Sequence, residues 1–298
     1  MASRIRDAVH TVQRQHLPGR TLLPVTLRPM AGHPSIEERR ARFADIHESG
    51  CFVMPNAWDV GSARVLASLG FEAIATTSAG HAASLGRMDQ QVTFAELLEH
   101  VRLLVTAVDL PVSVDAERCF AEDAGGVADN VERIAETGAA GLSIEDYDPH
   151  TGIDPVEVAA ERVAAAAEVA RSAGMTLTAR AENHLYGIDN LDDTIVRLSA
   201  YRDAGADVVY APWLVEIGGI RRVVDETGAP VNVLARVDTP GIAQLREAGV
   251  RRISTGGALA MAAYGALAAA ARELIETGTS NFMVRALSLE DRHAAFDG

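Results

Sequence analysis

Apolar positions along this chain keep two alternating rhythms from residue 51 onward. Short apolar runs bounded by glycine, proline or charge alternate with longer stretches in which apolar residues recur at helical spacing. The short runs are CFVMP (Cys51 to Pro55), EAIATT (Glu72 to Thr77), PVSVD (Pro111 to Asp115), GLSIE (Gly141 to Glu145), TLTAR (Thr176 to Arg180), DVVYA (Asp207 to Ala211), PVNVL (Pro230 to Leu234) and RRIST (Arg251 to Thr255). Between them lie amphipathic stretches such as TFAELLEHVRLLVTAV and DPVEVAAERVAAAAEVARSAG. Four helix exits share one signature, ASLGFEAI, AETGAAGLSI, RDAGADVVY and REAGVRRIS. It puts Gly70, Gly138, Gly205 and Gly249 where a helix closes through a left-handed turn.

Eight predicted strands alternating with helices, without a break in composition, imply a (β/α)8 TIM-type barrel filled by small branched side chains. A doubly wound open sheet is the alternative, because periodicity does not show closure. One barrel domain is expected over residues 34–298, preceded within it by a helix that Ser35 and Glu38 begin as a capping box. Residues 1–33, with three prolines and no clear period, read as an N-terminal tail or an arm onto a neighbouring subunit.

Composition narrows the functions open to such a barrel. Apolar residues make up 48% of the 298, and the formal charge of -14 argues against nucleic acid or an anionic membrane as partner. No lysine occurs, so all 27 basic residues are arginines. Schiff-base chemistry and a Walker-type phosphate loop both need lysine and are excluded. Cys51 and Cys119 form neither a zinc motif nor a disulfide framework. The first residues, MASRIRDAVHTVQRQHLPGR, lack the apolar core of a secretory signal, so a reducing cytoplasm is expected. The Ala-rich segment GGALAMAAYGALAAAA from Gly256 is short for a membrane span and reads as a buried or interface helix.

In a barrel of this kind the chemistry sits at the C-terminal ends of the strands. There the chain carries Thr77, Ser78, Gly80 and His81, with Asp89 a little further on; Asp115 and Glu117; Glu145 and Asp146; Arg180 and Glu182; Asn232; and Ser254 with Thr255. Carboxylates from two successive strands plus Asp89 suit a hard cation such as Mg2+ or Mn2+. Such an ion would let Asp115 and Glu117 stay ionised side by side.

At these residues the chain resembles the isocitrate lyase and phosphoenolpyruvate mutase superfamily, from about residue 38 to 277. The likeness is carried by VMPNAWDVGSARVLASLGFEAIATTSAG, LPVSVDAERC, LSIEDY, LTARAEN, RDAGADVVY, PVNVL and VRRISTGG, and is nearest to small members whose barrel begins PNAWD. The resemblance implies a Mg2+-dependent enzyme acting on small 2-oxo or 2-hydroxy acids through an enolate. It implies a homodimer or homotetramer in which the last helix packs on a neighbour. It assigns Asp115 as direct metal ligand, with Glu117, Glu145 and Asp89 reaching the ion mainly through its waters. Ser78, Ala79 and Gly80 match the segment that holds the substrate carboxylate, and Arg180 the arginine that neutralises the carboxylate or developing oxyanion. Asn232 falls among the substrate-binding positions.

One departure matters. The lyases of the superfamily carry a proton-delivering cysteine on the loop after the fourth strand, and this chain has DYDPHTGIDP there. Cys119, His150 and Tyr147 are the substitute donors in view, with His81 and His184 near strand ends more plausible as structural groups. The expected activity is cleavage of a carbon–carbon bond, by retro-aldol reaction or decarboxylation. Phosphorus–carbon bond chemistry, relying on Arg87 or Arg118 as cation, and non-catalytic binding of a small acid are the alternatives.

Overall fold

A computed structural model describes residues 33–297. The expected tail over residues 1–33 therefore lies, His33 apart, outside the described residues.

Ten strands form. They are β1 (Phe52–Met54), β2 (Ile74–Ala75), β3 (Val112–Asp115), β4 (Gly141–Glu145), β5 (Tyr147–Asp148), β6 (Gly152–Ile153), β7 (Thr176–Arg180), β8 (Val208–Tyr210), β9 (Val231–Leu234) and β10 (Arg252–Ser254). All but β5 and β6 make one parallel sheet, ordered β1-β10-β9-β8-β7-β4-β3-β2. A parallel bridge between Asn56 and Ala75 joins its two ends: Ala57 N donates to Ala75 O at 2.7 Å and Ala75 N to Pro55 O at 2.9 Å. These bonds close the barrel, so the open-sheet alternative does not hold. Each of the eight expected strands is one of its staves, and β5 with β6 makes a small antiparallel hairpin in the loop after β4.

The helices are α1 (Ile36–Glu48), α2 (Val60–Ser68), α3 (Ser78–Ser84), α4 (Phe94–Ala107), α5 (Ala124–Ala135), α6 (Val156–Ala173), α7 (Leu191–Asp203), α8 (Ile217–Thr227), α9 (Ile242–Glu247), α10 (Ala258–Thr277) and α11 (Leu289–Phe296). Ser35 and Glu38 make the reciprocal capping box at the start of α1. Gly70, Gly138, Gly205 and Gly249 all adopt positive φ, between 85° and 107°.

The expectation for the barrel interior is corrected. Branched residues of alternate register, such as Leu142, Ile144, Leu177, Val231, Val233 and Ile253, pack outward against the helices as the main core. Their in-between neighbours are polar: Ser113, Ser143, Arg180, Asn232, Arg252 and Ser254 line an internal cavity. A strand turns successive side chains to opposite faces, and here the inward set serves the cavity rather than the core.

The N-terminal face is sealed by α1. Phe43 is fully buried with Phe52, Met54, Ala73, Ala75 and Ala140. Arg40 donates to the carbonyls of Ala135, Ala139 and Ala173 at 2.7 to 2.9 Å, where α5 and α6 end. Placing a cation on helix C-terminal carbonyls satisfies groups that the helices cannot satisfy themselves. The opposite face is left open for chemistry. On the outside, α11 packs along α2, whereas α10 buries only Ala260.

Candidate active site

The cavity, about 240 Å³, opens at the C-terminal ends of the strands. Backbone strain gathers there as well. Among the described residues, the non-glycine residues at positive φ are Gln90, Glu117, Cys119, Phe120 and Trp213, all on loops that leave β2, β3 or β8 at this face. Left-handed conformations cost such residues free energy, and they persist where the surroundings over-determine them.

Arg180, at the end of β7, organises the site. Its Nη1 donates to Asp115 Oδ1 at 2.8 Å and lies 3.2 Å from Glu145 Oε2, while Nε donates to Glu182 Oε1 at 2.7 Å. Burial works against the guanidinium's charge, but Glu182, Glu145 and Asp115 more than offset it and hold the group well above its usual pKa. The end of β3 is fixed by short bonds: Asp115 N donates to Thr76 Oγ1 at 2.8 Å, and Ser78 N donates to Asp115 Oδ2 at 2.9 Å. Gln90 Nε2 donates to Glu145 Oε1 at 3.2 Å, so the strained loop after β2 also reaches the cluster.

The acids have perturbed titrations. Burial, then the charges of Asp115 and Asp89, pushes Glu117 up to about 8. Burial also raises Glu145 and Glu182, with Arg180 pulling the other way. Asp89, on the exposed rim, is raised by partial desolvation and by Asp115, against a hydrogen bond with Ser78. Crowded carboxylates resist simultaneous ionisation unless a cation joins them. This all-oxygen set, with one guanidinium among five carboxylates, fits a hard divalent ion. Among the described residues no three Asp, Glu, His or Cys side chains form a ready-made cage. Asp115, Glu117 and Glu145 would therefore hold Mg2+ or Mn2+ largely through its waters.

The structure brings together Ser78, Ala79, Asp89, Asp115, Arg180 and Asn232 as lining of one cavity. Gly80 lies just behind them in α3, where an added Cβ would come within 2.5 Å of Thr77 Cγ2. Glu117 and Glu145 stand in the buried shell behind Asp115 and Arg180.

The structure places the three expected proton donors away from the cavity lining. Cys119 turns into the apolar core with no exposure, and burial pushes its thiol up to about 12, so neither position nor ionisation suits catalysis. His150 is exposed at the tip of the β5–β6 hairpin, where its backbone N–H donates to Asp148 Oδ1 at 2.7 Å. Arg118 clamps that hairpin through Asp148 at 3.2 Å and Asp154 at 2.9 Å. Tyr147 stacks on Tyr186, ring centroids 3.5 Å apart, and does not line the cavity. Asp146 faces inward to the scaffold instead, accepting from Tyr201 Oη at 2.6 Å and Glu182 N at 2.8 Å. Arg87 pairs with Glu96 on the surface, so neither it nor Arg118 supplies the cation expected of a phosphonate site.

Several lining residues were missed from the sequence: Tyr210, Trp213 and Arg252. Arg252 lies two residues before Ser254 in a strand already recognised, so period-two alternation would have placed it on the same face, and Tyr210 is the register partner of Arg180 on the neighbouring strand. Trp213 was masked by its loop; its φ of 69° and the Arg236 guanidinium 3.7 Å from its ring centroid hold it at the cavity mouth.

Known proteins are similar to this chain in sequence and fold. The phosphoenolpyruvate phosphomutase family model matches residues 43–275. The chain belongs to the isocitrate lyase and phosphoenolpyruvate mutase superfamily. An uncharacterised Mycobacterium tuberculosis protein is 36% identical, over 70% of this chain and 79% of its own length. The 2-methylisocitrate lyase of Salmonella typhimurium is 32% identical, over 59% of this chain and 62% of the enzyme. A crystal structure from Burkholderia cenocepacia J2315, designated a lyase/mutase, superposes with a TM-score of 0.85 at 44% identity, covering 88% of this chain and 97% of that one. Superfamily members are carbon–carbon lyases or mutases, and the fold seen here is the superfamily's barrel.

Proposed function

We propose that this chain is a divalent-metal-dependent lyase that cleaves a carbon–carbon bond of a small 2-oxo or 2-hydroxy acid, leaving an enolate. The observation that carries the reading is Arg180 held in the cavity by Asp115, Glu145 and Glu182, beside the backbone of Ser78 and Ala79. Preorganised positive charge at the place where an oxyanion develops lowers the barrier to its formation. Ser78 and Ala79 would take the substrate carboxylate, and Arg180 the carboxylate or enolate oxygen. When bound, Mg2+ would polarise the same oxygen as a Lewis acid. The 2-methylisocitrate lyase relative acts in the same reaction class by name. Carbon–carbon cleavage is favoured over phosphorus–carbon chemistry because the arginines near the strand-three and strand-two loops are paired outside the cavity.

Self-association belongs to the same reading. By length and composition alone α10, 20 residues long, could cross a membrane, its most apolar 18 residues averaging a hydropathy of 1.4. Its place as the barrel's eighth helix, with Leu267 and Ile275 exposed, supports cover by a second copy instead.

The test is isothermal titration of oxalate, a planar enolate mimic, with and without Mg2+, on wild type and Asp115→Ala. Binding that needs both the ion and Asp115 supports the reading and is followed by a screen of 2-oxo acids for cleavage. Binding indifferent to both overturns it.

A further inference from the structure

A second arginine lies deeper in the cavity under quite different conditions. Arg252, in β10, is 2% exposed and lines the floor. Its Nε donates to Asn232 Oδ1 at 2.9 Å and its Nη2 to Thr178 Oγ1 at 2.9 Å. Nη1 lies 3.2 Å from His47 Nε2. Because His47 Nδ1 is 2.7 Å from the carbonyl of Phe43, that nitrogen carries the ring proton and Nε2 accepts from the arginine. Burial, then the charge of Arg252, pushes His47 down to about 3, so the imidazole is neutral.

Every partner of Arg252 is thus uncharged. Among the described residues no carboxylate pairs with it, whereas Arg180, in the same cavity, has three. Burial pushes Arg252 down to about 10, which still leaves it cationic at neutral pH. A buried charge without a counter-ion is costly, and an anion entering the cavity would supply the charge that Arg252 lacks. A guanidinium has five N–H donors, and three are engaged here. The head group is held rigidly from three sides, by β7, β9 and α1, with the cavity on the remaining side.

We propose that Arg252 is a specificity-determining residue, a fixed positive charge on the cavity floor that selects substrates with a second anionic group at the end remote from Asp115. The inference rests on the reading of the site as an acid-cleaving centre, and it concerns which side chain reads the far end of the substrate. Asp115 and Arg180 handle the reacting end at the strand mouths, and Arg252 with Asn232 receives the distal carboxylate below. The selection arises from charge complementarity, with desolvation on the floor strengthening it.

The experiment compares malate with lactate, two 2-hydroxy acids that differ by one carboxylate, by titration in Mg2+ on the full chain, with oxalate as a control for the upper site. Wild type should prefer malate by about 10- to 100-fold, the scale of one charge-assisted hydrogen-bonded pair. In Arg252→Met the preference should collapse to about twofold while oxalate affinity changes by less than about threefold; Arg252→Lys should restore part of it. A folded Arg252→Met that keeps the malate preference overturns the proposal, and so does a wild type that does not discriminate, whether or not the variants fold. Loss of Mg2+-dependent oxalate binding in wild type would instead strike the reading of the upper site, leaving the malate preference to decide Arg252 separately.

Discussion

Replacing Glu117 by glutamine removes one negative charge from the acid cluster and almost no volume. In the folded chain burial, reinforced by Asp115 and Asp89, moves this carboxyl from 4.5 up to about 8. Its proton is bound more tightly in the native state than in the unfolded chain. Stability is therefore fully retained below the unfolded value and falls as pH rises through the window from 4.5 to about 8. At about 1.4 kcal/mol per pH unit, a shift of that size sets a ceiling of about 5 kcal/mol. Urea unfolding followed by circular dichroism, in chelator and between about pH 5 and about pH 8, measures it. Wild type should lose about 2–3.5 kcal/mol more across that range than Glu117→Gln, at equal m-value. Adding Mg2+ should return most of the loss at the alkaline end, where ionised carboxylates meet the cation best. Parallel pH profiles for wild type and variant would refute the electrostatic account of the cluster.

Four further outcomes follow from the geometry. Arg180→Met leaves Asp115, Glu145 and Glu182 without their shared counter-charge; we expect a loss of about 3–5 kcal/mol at neutral pH, smaller in mild acid, and oxalate binding weakened beyond detection by titration. Cys119→Ala should keep turnover within about twofold, and the native thiol should resist alkylation until the chain unfolds, because a buried, protonated thiol is inert. Gly141→Ala would drive a methyl to 2.6 Å from Phe43 Cε1 and Thr176 O, so chemical denaturation should show about 1–3 kcal/mol of destabilisation with the site's ligand affinity preserved. Leu267→Glu with Ile275→Glu on the exposed side of α10 should convert an oligomer to monomer in sedimentation; a monomeric wild type would remove the case for a covered helix.

Much was legible from local signals. The eight strands, the capping box at Ser35 and the glycine helix exits depend on residues close in sequence, where periodicity and φ preference act directly. The rule that barrel chemistry sits at strand ends also points to Ser78, Asp89, Asp115 and Arg180, which the structure gathers around one cavity. Other decisions belong to residues far apart in the chain. Closure of the sheet rests on bonds between residues 55–57 and Ala75, which no period announces. Alternation in PVSVD, TLTAR, PVNVL and RRIST marks which residues share a face of one strand, but only assembly of the staves brings Ser113, Arg180, Asn232 and Arg252 around one polar interior. Cys119 and Glu117 lie two residues apart on one strained loop, yet one faces the core and the other joins the acid cluster. By itself the sequence determined the elements and the chemical types available at the strand ends, because those follow from neighbouring residues. Tertiary structure alone decided which groups share a low-dielectric space, and it is that sharing which sets their charge and makes Arg180 a bound cation and Arg252 one without a carboxylate partner among the described residues.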